Sequence, residues 1–460
     1  MTLSPGCLLF LVALFGILIP SFSAVIPLDT AMEVNLCARQ EPPIATLTWF
    51  GLDDTHNQNS NDIVKALRQK TLKVLQHNPW STGSVSGCDP FSVLVRQQPA
   101  QLEYQSPDKN DRDELMPKVF CRVKLEQDKD QLSLSTPVSD LYTLTAPYTT
   151  LDPTNGPLCR LTVLEQESDS NNHHLAIIFT LSHAVADMTA YYTLLDMMLS
   201  SQHKAEPLSM EAIPAADDQA RQALGGPTFD LAHHVLANLV KGARGLVDRI
   251  ITGRPGKAQW YRVDADAMAK AKKQALSDDD CPTSIRFVST NDVLTSHFFR
   301  TCGADLGLLC ANYRSTVLKT QSPLGRNRWG TLVYRTPEEA TKPWKIRQSL
   351  KQWQNDTLAQ HLGNVLPSPL AFAFNNDRVA VASSWVQTDP PWDLAGKQRT
   401  FMAHVPLYDF ASYAPSGFCV MRTFTSRRNE TAVYVAGDAT MVEQFQSRLP
   451  PFLRPLAKCQ

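Results

Sequence analysis

Leu175–Ser182 reads LAIIFTLS and runs directly into His183–Met188, HAVADM. Eight apolar or small residues without alternation are the pattern of a strand buried on both faces, which requires a layer on each side of its sheet. Ala190–Ser200 then reads as a helix, so the stretch predicts strand, short loop and helix, with Asp187 where the helix begins. A polar side chain just past a strand's C-terminal end, in a loop between rigid elements, is a common functional position. Histidine is the natural general base because its proton affinity lies near working pH. The aspartate four residues on can hold the geometry of a tight turn. The same pair also arises by chance, as an incidental histidine beside an ordinary N-cap aspartate. Its weight therefore depends on its surroundings.

Outward from this stretch the pattern is mixed α/β. Asp62–His77 places Ile63, Val64, Leu67, Val74 and Leu75 near one helical face, with Asn61 or Asp62 as cap and Asn78-Pro79 as stop. Leu158–Glu165 alternates as a strand does. Ser201–Gly226 is polar and weakly patterned, and reads as the connection between two halves. In Phe229–Ile251, Ala232, Leu236, Leu239, Val240, Ala243, Val247 and Ile250 fall at helical spacing, with Lys241, Arg244 and Arg249 opposite. This predicts an amphipathic helix that packs on the core or lies on a membrane surface. Further on, Asn291–Thr301 reads as a helix, and Leu370–Phe374, Arg378–Ser384 and Thr431–Gly437 read as strands. Asp438 starts the last helix. Helices and strands interspersed in both halves predict two similar α/β units.

The 460 residues are 43% hydrophobic and 19% charged, enough for a large core. With 44 Lys+Arg against 45 Asp+Glu the net charge is −1, which argues against a nucleic-acid binder. No Walker loop or dinucleotide fingerprint appears, and the scattered His and Cys lack metal-ligand spacing. Cys7–Pro20 is an unbroken apolar run, followed by small residues at Ser21 and Ser23. It predicts a cleaved signal peptide over residues 1–24 and entry to the secretory pathway, since the run is short of the ~20 residues that span a bilayer. Nine cysteines follow Cys7, none in a CxxC pair, and in a lumenal protein some of them would pair. Asn355-Asp-Thr357 and Asn429-Glu-Thr431 are sequons compatible with secretion.

The order of short segments resembles that of the BAHD-type, or HxxxD, acyl-CoA-dependent acyltransferases. Leu67–Gly87 is similar to that family's early "LK-SL...FYPLAGRL" region, and Ser182–Asp187 (SHAVAD) to "SHxxxDG". Ser289–Arg300 is similar to the "LTAHxWR" helix of its second domain, and Ala311–Ser315 (ANYRS) to "VNLRSR". Ser383-Ser384-Trp385 resembles "TSW", Asp393–Lys397 (DLAGK) falls where "DFGWGK" follows, and Asn429–Phe445 resembles the terminal strand and helix. Two departures stand out: Met188 replaces the glycine after the aspartate, and DLAG lacks the aromatic residues of DFGWG.

The resemblance implies an α/β fold of two chloramphenicol-acetyltransferase-like domains of mixed sheet plus helices, with the active site at their interface. The halves are placed at residues 25–212, carrying the HxxxD motif, and 213–460. It implies transfer of an acyl group from acyl-CoA, as co-substrate, to a hydroxyl or amine of a small-molecule acceptor, with no bound cofactor and no metal. His183 is the implied general base. Asp187 points away from substrate and pairs with Arg314. Ser383 and Trp385 lie near the developing oxyanion, Asp393 supports the structure, and Ser289 and Thr290 contact the pantetheine arm. The expected assembly is a monomer without a transmembrane span after signal removal, in contact with a membrane surface, if any, through residues 229–251. Rival readings are a condensation-type transferase fed by a carrier-protein thioester and a non-catalytic ligand-binding homologue. The doubled histidine of the condensation branch is not at the motif, where Ser182 stands, but at His173-His174.

Overall fold

The computed structural model describes residues 25–27, 43–51, 60–86, 101–103, 112–125, 138–152, 155–166, 174–210, 222, 235–254, 256–312, 314, 325, 327, 329–335, 342–354, 368–386, 392–394, 400–407, 409–427 and 430–456. The expected signal peptide, the asparagines of both sequons, Cys37, Cys88, Cys459 and most of the 201–226 connection lie outside them.

Two mixed sheets carry the architecture. The first has five strands, in the order Thr400–Pro406, Ile44–Gly51, His174–Leu181, Cys159–Gln166 and Phe120–Leu125. The second has seven, in the order Trp329–Arg335, Leu306–Asn312, Val379–Trp385, Phe418–Arg427, Glu430–Asp438, Gly256–Val263 and Leu453–Pro455. The apolar run His174–Leu181 is central in the first sheet, antiparallel to a strand on each side, and from Leu175 to Leu181 it is buried throughout. Helix Ser60–His77 buries Ile63, Val64, Leu67, Val74 and Leu75, the face its spacing predicts.

The two units do not divide at one point in the chain. Thr400–Pro406 belongs by sequence to the second half, yet pairs antiparallel with Ile44–Gly51 at the edge of the first sheet. The boundary expected near residue 212 is thus crossed by a returning strand. One continuous apolar core extends from the first sheet onto Trp260, Trp385, Phe424 and Tyr434 of the second, so the two sheets share buried surface.

Two expectations are corrected. Leu370–Phe374 is not a strand but part of helix Pro369–Phe374. The Ser368 hydroxyl accepts from Ala371 N and Pro369 occupies the first turn, a start signal that outweighs the short apolar run. The amphipathic helix is Val235–Thr252; its Ala237 and Val240 pack on a small core with Phe372 and Val379, as expected, but Lys241 is buried on the same side. Lys241 is buried and donates to Phe372 O and Asn375 O (both 3.3 Å) and to Asn375 Oδ1 (2.8 Å). Arg244 donates to Ala373 O and Arg249 to Ala414 O. Lys241 and Arg244 satisfy carbonyls that the end of helix Pro369–Phe374 leaves without intrahelical partners, and Arg249 does so at the end of helix Phe410–Tyr413. Gly245 allows the close approach, because a Cβ there would lie 2.6 Å from Pro415 Cβ. Toward the C-terminal end of the helix the apolar residues are turned outward, leaving Ile250 72% and Ile251 78% exposed beside Leu246 and Val247.

Of the segment expected to replace DFGWG, Asp393 and Leu394 are described, together with Trp392 before them. Trp392 is buried and donates from Nε1 to Asp196 Oδ1 at 2.7 Å, while Asp393 accepts from Ser201 N at 2.8 Å and from Ser201 Oγ. Both contacts hold the far end of helix Met188–Leu199. Burial pushes the Asp196 carboxyl up to about 6. Its folded form therefore binds a proton more tightly than the unfolded chain does, and its contribution to stability falls as pH rises through about 4 to 6. Asp196→Asn keeps the acceptor for Trp392 without the buried charge. At pH 7 it is expected to be more stable than the parent by up to about 3 kcal/mol, with the gain vanishing near pH 4. Thermal melts at the two pH values check this, and equal melting temperatures at pH 7 contradict it.

Candidate active site

The strand His174–Leu181 delivers Ser182, whose N–H continues the ladder by donating to Leu158 O at 2.8 Å. His183 follows in a turn, half-buried, with Nδ1 3.1 Å from Ala186 O. A carbonyl only accepts, so Nδ1 carries the proton and Nε2 is the basic nitrogen. The turn thus sets the tautomer a general base requires.

Asp187 ends the turn and starts the helix. Its Oδ1 accepts from Thr189 N and Ala190 N, both at 3.1 Å, an N-cap for Met188–Leu199. The same carboxylate takes a two-point ion pair from Arg314, at 2.7 Å (Nη1 to Oδ2) and 2.9 Å (Nη2 to Oδ1). Both side chains are buried, and Arg314 Nη1 also lies 3.3 Å from Asn312 Oδ1. Asn312 Nδ2 reaches Thr189 Oγ1 on the first turn of the helix. Asp187 therefore braces the turn, with its carboxylate given to the helix cap and to Arg314. Met188 is accommodated as the first residue of the helix.

A further clamp comes from Asn327, a fully buried residue of the second domain. Its Nδ2 donates to His183 O at 2.9 Å and to Ala184 O at 3.2 Å. Asn327 stands in LGRNRWG, where no spacing or composition singles it out. Only the chain's return brings it to the turn.

Ser383 and Trp385 lie two residues apart on strand Val379–Trp385, an interior strand of the second sheet, on one face. The indole Nε1 of Trp385 donates to Ser383 Oγ at 3.1 Å. The two were expected as parallel donors toward an oxyanion. Instead the indole spends its hydrogen on the serine, and Ser383 Oγ–H is the donor left to point elsewhere. Arg422, opposite Ser383 on the neighbouring strand, lays its guanidinium 4.2 Å from the Trp385 ring centre. It is a second side chain that sequence reading missed, and it places a positive charge beside the pair.

Ser289 and Thr290 serve a helix start. Ser289 is the N-cap of Thr290–Thr301, in a reciprocal pair of bonds with Asp292 (2.6 and 3.1 Å), and Asp292 is fully buried against Arg347. Capping thus occupies the Ser289 hydroxyl. A cavity of about 410 Å³ is lined by Tyr142, Thr145, Thr149, Leu407 and Asp409. It lies toward the end of the first sheet that carries His183, because Tyr148 O accepts from Thr180 Oγ1 and Leu407 N bonds Ala45 O, opposite Thr180. Burial pushes the Tyr142 and Tyr434 hydroxyls well above their ordinary range.

Among the described residues no group of His, Cys, Asp and Glu is arranged to hold a metal ion, and no helix is long and apolar enough to cross a membrane. The six described cysteines are all free thiols, where some pairing was expected. Burial pushes the thiols of Cys159, Cys302 and Cys310 up to about 12, which makes them poor nucleophiles.

No family model matches this sequence, and no curated protein matches it by sequence. Solved structures do match it in three dimensions. TRI101 of F. graminearum, solved with coenzyme A and deoxynivalenol, is 12% identical at a TM-score of 0.60, over 94% of this chain and 100% of that one. TRI3, a trichothecene 15-O-acetyltransferase from Fusarium sporotrichioides, is 12% identical at a TM-score of 0.55, over 91% of this chain and 92% of that one. Vinorine synthase is 12% identical at a TM-score of 0.54, over 96% of each chain. The fold is the two-domain, chloramphenicol-acetyltransferase-like fold of the BAHD acyltransferases.

Proposed function

We propose that this protein is an acyl-CoA-dependent acyltransferase of the BAHD type, acting on a hydroxyl group of a small molecule. The observation that carries the reading is the tautomer of His183, held by Ala186 O in a turn that Arg314 and Asn327 brace from the other domain. In this scheme Nε2 of His183 takes the proton from the acceptor hydroxyl as its oxygen attacks the thioester carbonyl. The tetrahedral oxyanion receives a hydrogen bond from Ser383 Oγ–H, which the Trp385 indole orients, in the field of Arg422. Collapse breaks the carbon–sulfur bond, and the departing thiolate takes the proton back from His183. Neither an acyl-enzyme nor a bound cofactor is needed.

The cavity of about 410 Å³ is assigned to the acceptor, since its size suits a small molecule and its Thr145, Thr149 and Asp409 offer hydrogen-bond partners. Thr290 is retained as a contact for the thioester donor, whereas Ser289 is given to capping. The chain is assigned to the secretory pathway through residues 1–24, and to a monomer. Any membrane contact is made by the outward apolar residues of Val235–Thr252 rather than by its basic ones.

The test is thiol release from a panel of acyl-CoA thioesters by the purified protein, with and without alcohols. Alcohol-dependent release with matching ester in the products supports the reading. No release under any pairing favours a ligand-binding role instead. Sequencing the mature N-terminus tests the compartment.

A further inference from the structure

We propose that Asn327 is the positioning residue of the catalytic turn, acting from the second domain through the peptide carbonyls of His183 and Ala184. The inference rests on the reading of His183 as general base. The ends of the turn have their own anchors, Ser182 in the sheet ladder and Asp187 in the helix cap and ion pair. The middle of the turn is where the imidazole is set, and it is held by the two hydrogens of one amide, each on its own carbonyl.

The orientation of that amide is dictated by its partners. Reversed, Oδ1 would face two carbonyl oxygens, so Nδ2 must lie against them. The cost of keeping an asparagine here is visible. Its Oδ1 is buried with no hydrogen-bond partner among the described residues, a penalty that an apolar side chain of the same size would avoid. A side chain that leaves an acceptor orphaned while both its donors are used is present for those donors. The two carbonyls it fixes stand two and three residues before Ala186 O, the atom that fixes the tautomer of His183. Asn327 therefore acts on the base through the backbone, without touching substrate. The arrangement also makes catalytic geometry depend on domain docking, because Asn327 and Arg314 both reach the turn from the second domain.

Asn327→Leu removes the donors at similar volume, and Asn327→Asp removes them at nearly identical shape. Both are to be compared with the parent in steady-state thiol release and in site-resolved carbethoxylation of His183 by diethyl pyrocarbonate, read by peptide mass spectrometry. A loosened turn is expected to lower kcat about 10- to 100-fold, with KM for the thioester changed by less than about threefold. It is also expected to alter the carbethoxylation rate of His183 and its pH profile. A residue that only fills space would lower the melting temperature and leave kcat per folded molecule and the His183 profile unchanged, and that result overturns the proposal. If the leucine variant does not fold, the aspartate variant decides by the same readouts. If the parent transfers no acyl group at all, the catalytic reading fails by itself. The carbethoxylation profile still tells whether Asn327 holds the imidazole, and an unchanged profile in the variants refutes that.

Discussion

Replacing His183 with alanine is expected to lower kcat for alcohol-dependent thiol release by about 10²- to 10⁴-fold, the range a positioned general base contributes. KM for the thioester should stay near the parent value, because the imidazole is asked to move a proton in the transition state and not to bind the donor. His183→Gln, which keeps a polar side chain without a basic nitrogen, should lose the rate as His183→Ala does. Melting temperature should change little, since the side chain is only half-buried. An alanine variant that retains full transfer would remove His183 from the chemistry.

Removing the cation of the second-domain brace should be the most damaging single change to stability near the site. Arg314→Met leaves the Asp187 carboxylate buried without its ion pair, a situation that costs about 3–5 kcal/mol. Asp187→Asn is expected to be milder, because asparagine remains a good N-cap and leaves an arginine with Asn312 still beside it. The double variant should recover part of what Arg314→Met loses, since it no longer contains an unpaired buried charge. Denaturant unfolding of the three variants gives the coupling directly. Activity should fall in all three, because the turn bearing His183 ends at Asp187. If Arg314→Met proves as stable as the parent, the ion pair is not the brace the distances suggest.

Much of the fold is legible from local pattern. The run LAIIFTLS is a central strand, Asp187 and Asp438 are helix caps, and helix Ser60–His77 buries the face its spacing marks. These features depend on neighbours along the chain, where periodicity and capping chemistry operate. Reading fails where a local pattern is overruled by a distant partner. LAFAF looks like a strand until Ser368 and Pro369 start a helix there. The amphipathic helix has the expected residues and only part of the expected orientation, because Lys241, Arg244 and Arg249 find carbonyls in other segments and Gly245 admits a close approach, while Leu246, Val247, Ile250 and Ile251 are left outside. Ser383 and Trp385 are placed together as their spacing suggests, but the bond between them assigns unequal parts.

The hydrophobic run and its terminal histidine and aspartate determined by themselves that a buried strand would present a histidine in a loop closed by a capped helix. Those relations lie within a few residues, where backbone geometry follows from side-chain type. Which nitrogen of His183 is basic, what neutralises Asp187 and what holds the loop between them were decided by the tertiary structure. Arg314 and Asn327 stand 127 and 144 residues from their partners Asp187 and His183, beyond the reach of any local periodicity. The docking of the second sheet onto the shared core brings them to the turn.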